Sequence, residues 1–446
     1  MAKYFGTDGI RGIANETLTT DIAYKVGRFL GDYSRKNGKG KICIGKDTRI
    51  SSSMFESILA GGLAASGCNA YLIGYCSTPC LAYVAEHDGF DLGIMISASH
   101  NPYYDNGIKV FSNNGMKINE ELELEVEKYI DNIINVDKVT KEKVGYIYDY
   151  KDGINNYSKW IKSLYPNTLE NFKVLVDCAN GSNSYIASNV LEDLKCNYKI
   201  INNNPNGINI NKDCGSTHLE QLKEEIKKDK YDFGFAFDGD ADRVLFVDSN
   251  GGVVDGDVMM YILSKYLKSH NKLKDDTLVT TVMSNIGLYK VLEKENIKTI
   301  TTSVGDKNVL DEMIKGNYSI GGEQSGHIIL LNDSRFGDGL KTALCLMNAI
   351  KESNKSLIDL ENEIEIYPQV LENIIVKDKN IVLNDKDINQ AINEASELLD
   401  HNGRILVRPS GTEPLIRVMV EAKTIDICKE EVKKIIDLIK KKGYQK

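Results

Sequence analysis

The sequence predicts an α/β protein of several domains, on three observations. Strand and helix patterns alternate through the first third of the chain, that alternation restarts twice, and the last part changes to an α+β pattern. A chain of 446 residues also exceeds one ordinary domain and suggests roughly three or four.

Each element has a local reason. Thr19 is placed to cap a helix whose Ile22, Val26, Phe29 and Leu30 fall on one face. A strand is predicted at Lys41–Gly45, then a helix carrying Phe55, Ile58, Leu59 and Leu63. A strand at Ala70–Ile73, a short helix near Leu81–Glu86 and a strand at Leu92–Ile96 follow, implying βαβ units and a mostly parallel sheet. The second round has strands at Lys173–Asp177, Tyr198–Asn202 and Phe233–Phe237. The third, from Asp255 to about Ser353, has strands at Leu278–Val282 and Lys298–Thr302. In the C-terminal part Arg404–Arg408 and Leu415–Glu421 read as strands on either side of a Pro/Gly turn, flanked by two long helical patterns. The expected domains are 1–154, 155–251, 252–368 and 369–446, the last a small α+β domain.

Composition narrows the function. Hydrophobic residues at 42% and charged residues at 27% suit a soluble globular protein with a sizeable core. The N-terminus has no signal-peptide pattern and no segment approaches a membrane span, so a cytoplasmic protein is expected. A net charge of −9 disfavours nucleic-acid and membrane-surface partners, yet leaves room for a locally basic cleft that takes an anionic small molecule. The basic run Lys440–Lys442 ends a helical pattern, where it suits the helix dipole. Nine cysteines at irregular spacings make no disulfide framework, and the pair Cys76 and Cys80 has no second pair to complete a zinc site.

Four clusters carry candidate chemistry. Ile96-Ser97-Ala98-Ser99-His100-Asn101-Pro102 follows a predicted strand, a position suited to a ligand crevice, although the same residues make an ordinary turn. Lys109, expected to begin the next strand, points a cation back toward this loop. Asp238-Gly239-Asp240-Ala241-Asp242-Arg243 places three carboxylates at alternate positions of a tight loop. Mutual repulsion disfavours that arrangement unless a cation sits there, and oxygen-only ligands select a hard ion such as Mg²⁺; the alternative is a solvated acidic turn. An EF-hand is excluded, because Arg243 stands in the place of its turn glycine and Ser249 in that of its bidentate glutamate.

Gly321-Gly322-Glu323-Gln324-Ser325-Gly326-His327 is either a glycine-rich turn or a site where Glu323 and Ser325 bind vicinal hydroxyls; His327 alone reads more readily as structural than as catalytic. Arg408-Pro409-Ser410-Gly411-Thr412-Glu413-Pro414, with Arg417 in the next strand, combines two arginines, two hydroxyls and a glycine backbone into a plausible phosphate cradle.

In this order and spacing the four clusters resemble the α-D-phosphohexomutase superfamily over essentially the whole chain. Phe5-Gly6-Thr7-Asp8-Gly9-Ile10-Arg11-Gly12 and Gly45-Lys46-Asp47-Thr48-Arg49 fit the same resemblance. Within the superfamily the chain looks most like the branch that interconverts glucosamine 6-phosphate and glucosamine 1-phosphate. The resemblance implies three related mixed-sheet α/β domains plus a smaller C-terminal α+β domain around a central cleft. It implies a phosphoryl group on Ser99, and one Mg²⁺ held by Asp238, Asp240, Asp242 and the Ser99 phosphate. Arg11, His100, Lys109 and Arg243 would surround the transferring group, with Lys109 or His327 as general base. Glu323 and Ser325 would contact sugar hydroxyls; Arg408, Ser410, Gly411, Thr412 and Arg417 would hold the other phosphate. A hexosamine or hexose 1,6-bisphosphate would serve as intermediate and activator, and the product would feed amino-sugar and cell-wall precursors. Monomer and homodimer are equally open. Two departures stand out: Ala241 replaces a glycine common in the metal loop, and Lys307 stands where relatives often have arginine.

Three rivals are weighed; a catalytically dead sugar-phosphate-binding protein is disfavoured because Ser99 and all three aspartates are present, and two remain. One is a phosphomannomutase or phosphoglucomutase on the same scaffold. The other is a metal-dependent phosphatase, whose zinc forms need histidine clusters that six scattered histidines do not form.

Overall fold

Thr19 caps the helix Thr20–Asn37 by accepting a hydrogen bond from the Ile22 amide, so the capping signal sits where expected. This element belongs to a computed structural model that describes residues 3–6, 8–410 and 413–446. The chain forms two compact units, one of Met1–Met283 with Ile297–Glu361 and one of Ser284–Asn296 with Asn362–Lys446.

The first unit carries three sheets. In the seven-stranded sheet the order is Phe5–Gly6, Gly9–Ile13, Asp105–Ser112, Leu92–Ile96, Lys41–Lys46, Asn69–Tyr75 and Ile147–Asp149. Leu92–Ile96 is buried along its whole length, as its unbroken apolar run requires, and lies parallel to Lys41–Lys46. Its other neighbour, Asp105–Ser112, runs antiparallel with Lys109 opposite Met95. The sheet is therefore mixed. The strand bearing Lys109 begins at Asp105, four residues before its expected start; the polar opening Asp105-Asn106-Gly107 hid it. The N-terminal hairpin is also invisible to apolar patterning, because its first strand is only Phe5–Gly6 and the closing pair is Gly6 opposite Gly9, the latter at φ 83°.

The second sheet runs Val253–Val254, Val244–Asp248, Phe233–Phe237, Lys173–Asp177, Asn197–Ile201. Phe233–Phe237 is parallel to Lys173–Asp177 and antiparallel to Val244–Asp248, so residues 238–243 are the loop of a hairpin closed by the pair Phe237 and Val244. In the third sheet, ordered Lys298–Thr302, Thr277–Thr281, Ile320–Gly322, Ile328–Leu330, the segment 323–327 is likewise a hairpin loop, closed by Gly322 opposite Ile328.

The second unit has an antiparallel sheet of Gln369–Ile375, Leu415–Ala422 and Gly403–Pro409, with helices Lys386–Leu399 and Ile425–Lys441. Val418, Val420, Val432 and Ile435 are buried in its core. The segment carrying helix Ile286–Lys294 belongs to it as well: the Asn285 side chain donates to the Tyr367 carbonyl at 2.9 Å, and the Ile286 amide to Glu421 at 2.9 Å. Among the described residues no helix is long and apolar enough to cross a membrane, and the cysteines are buried free thiols.

Candidate active site

Ser99 stands three residues beyond the buried strand Leu92–Ile96, in a left-handed conformation at φ 51° that is uncommon for serine. What holds it there is a set of buried hydrogen bonds. The Ser99 amide donates to Ser97 Oγ at 3.0 Å, and Ser97 Oγ donates to Asp47 at 2.7 Å. Arg49, fully buried, donates through Nε to Asp47 at 2.7 Å and through Nη2 to the carbonyls of Ser99 (2.8 Å) and Asn101 (2.9 Å). Its Nη1 reaches the Pro102 carbonyl and that of Asp105. Asn211 adds a bond to the Ser99 carbonyl at 2.8 Å.

One guanidinium thus organises the whole serine loop, a task its planar fork suits and a point-charge ammonium does not. Arg49→Lys is expected to lower stability by about 2–4 kcal/mol and to reduce turnover with it, since lysine leaves several buried carbonyls unpaired. Urea unfolding beside an activity assay checks this; an unchanged midpoint and rate would contradict it.

The Ser99 hydroxyl donates to Asp238 Oδ2 at 2.6 Å and lies 3.3 Å from His100 Nδ1. This joins the serine loop to the hairpin 238–243, and the contact is close: a Cβ on Gly239 would lie 2.6 Å from the Ser99 carbonyl oxygen. Ligand oxygens of Asp238, Asp240 and Asp242 lie within 4.8 Å of one another. Oδ1 of both Asp240 and Asp242 is buried without a hydrogen-bond partner. Burial and the charges of Asp242 and Asp240 push the Asp238 carboxyl well above the usual carboxylate range. The charge is thus left uncompensated at Asp238, whereas, against burial, His327, Lys109 and Arg243 hold the Asp242 carboxyl well below the usual carboxylate range. Ala241 occupies a left-handed position at φ 58°, which explains why glycine is common there and costs this chain roughly 1 kcal/mol.

Cations line the other side. Lys109 Nζ lies 2.8 Å from Asp240 and 2.9 Å from Asp8. Burial acts to lower its pKa, but the charges of Asp240, Asp8 and Asp242 outweigh it and hold the ammonium firmly protonated. Arg11 pairs with Asp8, and Arg243 Nη1 approaches His100 Nδ1 at 3.5 Å. Nε of both arginines is buried and unpartnered. Burial, then the positive charges of Arg243 and Arg11, lower the His100 pKa to about 4, so its ring is neutral near neutral pH.

His327 Nδ1 stands 3.7 Å from Asp242 Oδ2. Burial acts against its protonation, and the bond to Asp242 with the charges of Asp242, Asp306 and Glu323 overcomes that. Its ring packs on Gly337, where a Cβ would lie 2.3 Å from Nε2. Glu323 and Ser325 sit on the same hairpin loop; Glu323 Oε1 accepts from the Gly305 amide at 2.9 Å, and Ser325 Oγ has no partner.

The first unit thus brings together Arg11, Ser99, His100, Lys109, Arg243 and the three aspartates, with His327 joined to them through Asp242 on the loop that also carries Glu323 and Ser325. In the second unit Arg408 and Arg417 lie directly opposite on paired strands, an unfavourable like-charge pairing unless an anion joins them. Each has a buried, unpartnered Nε, and burial with the Arg417 charge lowers the Arg408 pKa. Ser410 Oγ accepts from the Glu413 amide at 3.3 Å, and Lys379 donates to the Ser410 carbonyl at 2.7 Å. Gly411 and Thr412 lie outside the described residues.

Models of the phosphoglucomutase/phosphomannomutase α/β/α domains I, II and III and of the C-terminal domain match residues 2–137, 148–252, 255–367 and 371–438. A phosphoglucosamine mutase of Lachnospira eligens is 49% identical over 448 residues, covering 100% of both chains. The chain belongs to the phosphoglucosamine mutase family. A phosphoglucosamine mutase of Bacillus subtilis is 46% identical, with 99% of each chain covered. The fold is that of a phosphoglucomutase/phosphomannomutase family protein from Burkholderia thailandensis, with a TM-score of 0.81 at 21% identity and coverage of 99% and 98%. An Aspergillus fumigatus N-acetylphosphoglucosamine mutase, solved with GlcNAc-6P and magnesium, superposes with a TM-score of 0.71 at 16% identity, covering 98% of this chain and 96% of that one.

Sequence reasoning assigned no role to several residues that this phosphoglucosamine mutase family member uses to build the site. Asp47 and Arg49 stand in a motif that gives neither of them an individual role. Thr78, whose hydroxyl donates to Asp240, and Asn211 carried no signal at all.

Proposed function

We propose that the protein interconverts glucosamine 6-phosphate and glucosamine 1-phosphate through a phosphorylated Ser99 and a sugar 1,6-bisphosphate. The observation that carries this reading is Ser99 Oγ, 2.6 Å from Asp238 of a three-carboxylate loop that Lys109 pairs with at Asp240, and beside His100, on which the charges of Arg243 and Arg11 act. A serine so placed can carry a phosphoryl group whose charge is met from both sides.

The donor set fits one Mg²⁺: three carboxylates, two of them with a buried oxygen that has no other partner, and no nitrogen or sulfur ligand. Asp238, Asp240 and Asp242 would hold the ion, which would neutralise charge on the group in transfer. The chain's own residues supply the rest. In the forward half-reaction the Oγ–P bond of phosphoserine 99 breaks and a P–O bond forms at the free sugar hydroxyl. Arg11 and Arg243 meet the charge on the phosphoryl oxygens, and Arg49 keeps Ser99 in line. The sugar hydroxyl must lose a proton, and Lys109 and His327 are the two candidates to accept it; neighbouring carboxylates favour the protonated form of both. The bisphosphate then turns over and returns its other phosphate to Ser99. Glu323 and Ser325 bind adjacent ring hydroxyls, which both orientations of the sugar present.

The arginine pair Arg408 and Arg417, with Ser410, would bind the phosphate that is not transferred. That contact exists before and after chemistry, so Arg417→Ala is expected to raise KM for the sugar phosphate about tenfold or more. It should also deepen dependence on added bisphosphate, which would escape before turning around. Steady-state assays at several activator concentrations test this; a lowered transfer rate at saturation with unchanged activator dependence would contradict it.

Turnover of glucosamine, glucose and mannose 1-phosphates, each with and without Mg²⁺ and a hexose 1,6-bisphosphate, tests the activity itself. Preference for the amino sugar supports the proposal, and preference for glucose or mannose phosphate would replace it with the neighbouring mutase activity.

A further inference from the structure

Lys117 belongs to none of the four clusters, yet it connects two of them. It follows the strand Asp105–Ser112 and is fixed to that sheet by a backbone bridge with Phe111. Its Nζ lies 2.8 Å from Asp8 Oδ1 and 2.7 Å from Asp306 Oδ2. On one side, Asp8 continues through its other oxygen to Lys109 at 2.9 Å, and Lys109 to Asp240 at 2.8 Å. On the other, Asp306 opens the helix Asp306–Gly316, and the residue before it, Gly305, donates its amide to Glu323 Oε1 at 2.9 Å. Gly305 has φ 123°, a conformation open to glycine and costly for other residues, so the turn that aims this amide is specific.

We infer that Lys117 and Asp306 are positioning residues that fix Glu323 for sugar binding by clamping the 303–306 turn to the sheet that bears the phosphoryl-transfer loop. The inference rests on the reading of Glu323 as a sugar contact. The physical argument is one of order. Glu323 sits on a short hairpin loop and is only half-buried, so its carboxylate is held by the Gly305 amide. That amide is in turn fixed by the ion pair at the next residue. Asp8 keeps Lys109 and Arg11 when Lys117 is removed, so the phosphoryl end of the chain retains its own partners.

The clamp therefore predicts a split in its effects. Lys117→Met and Asp306→Asn are each expected to raise KM for glucosamine 6-phosphate about tenfold, the scale of one charge-assisted hydrogen bond. In Lys117→Met the loss of phosphate from phosphorylated Ser99 to water, followed by intact mass without sugar, should change less than about twofold, because Asp8 keeps Lys109 and Arg11 and no charge on His327 is removed. Glu323→Ala supplies the decisive background. If Lys117 and Asp306 act through Glu323, their effects on KM should largely vanish there, which is the non-additivity of one coupled unit. Asp306→Asn preserves shape and carries the test should Lys117→Met fold poorly. Additive effects, or water-driven dephosphorylation of Lys117→Met that changes in step with KM, would overturn the clamp alone. An unchanged KM in Glu323→Ala would remove the sugar-contact reading, and the clamp with it.

Discussion

Ser99→Ala is expected to abolish interconversion, by a factor on the order of 10⁴ or more, with little change in stability. The hydroxyl is the proposed carrier of the phosphoryl group, and no other serine hydroxyl donates to the three-carboxylate loop among the bonds that define it. Stability should stay within about 1 kcal/mol, because the hydroxyl bonds only to Asp238 and lies beside His100. The loop itself is held by Arg49 and Asn211 through backbone carbonyls that alanine keeps. Intact mass should show one phosphate on active wild-type protein and none on the variant. Near-wild-type turnover by Ser99→Ala would remove the phosphoenzyme from the account.

The second large effect is expected at Asp240. Its Oδ2 accepts from Thr78 and Lys109, while its Oδ1 is buried with no partner. Asp240→Asn therefore removes charge in two directions at once. Toward the loop, a neutral amide replaces a charged ligand, so Mg²⁺ affinity should fall at least about tenfold. Toward Lys109, the buried ammonium keeps Asp8 at 2.9 Å and Asp242 at 4.0 Å but loses its closest carboxylate, which lowers its pKa from its raised position. Activity should drop by about 10²–10³, recovering in part at high Mg²⁺. Ser249→Ala, at the position that an EF-hand would use, should leave Mg²⁺ binding unchanged. Titration calorimetry with Mg²⁺ on both variants reads the difference, and equal affinities would contradict the assignment of Asp240 as a ligand.

These residues also show what was legible in the sequence and why. Leu92–Ile96, Lys173–Asp177 and Phe233–Phe237 are legible to the residue because strands in the buried interior of a sheet read as nearly unbroken apolar runs between turn signals. Thr19 was legible because a cap has a local chemical signature. The three aspartates could be singled out because alternate carboxylates in a short loop repel one another, and a bound cation relieves that repulsion. By contrast, the clamp of Asp8, Lys117 and Asp306 joins residues far apart in sequence, each of a type that usually faces solvent; only the fold brings them together. Arg49 illustrates the intermediate case. Its motif was visible, but its role consists of bonds to backbone carbonyls, which leave no mark on the identity of their partners. The like-charge pairing of Arg408 and Arg417 needed the strand register, which a Pro/Gly turn of that length does not specify alone.

The central claim is that the phosphate on Ser99 moves to the sugar and that the sugar's own phosphate replaces it. Protein carrying radiolabelled phosphate on Ser99, mixed with unlabelled glucosamine 6-phosphate in a rapid-quench experiment and sampled through one turnover, tests this directly. The account predicts that label leaves the protein as glucosamine 1,6-bisphosphate and then appears at C1 of glucosamine 1-phosphate, while the protein ends with an unlabelled phosphate on Ser99. Label released as inorganic phosphate, or product formed while the label stays on Ser99, would contradict it.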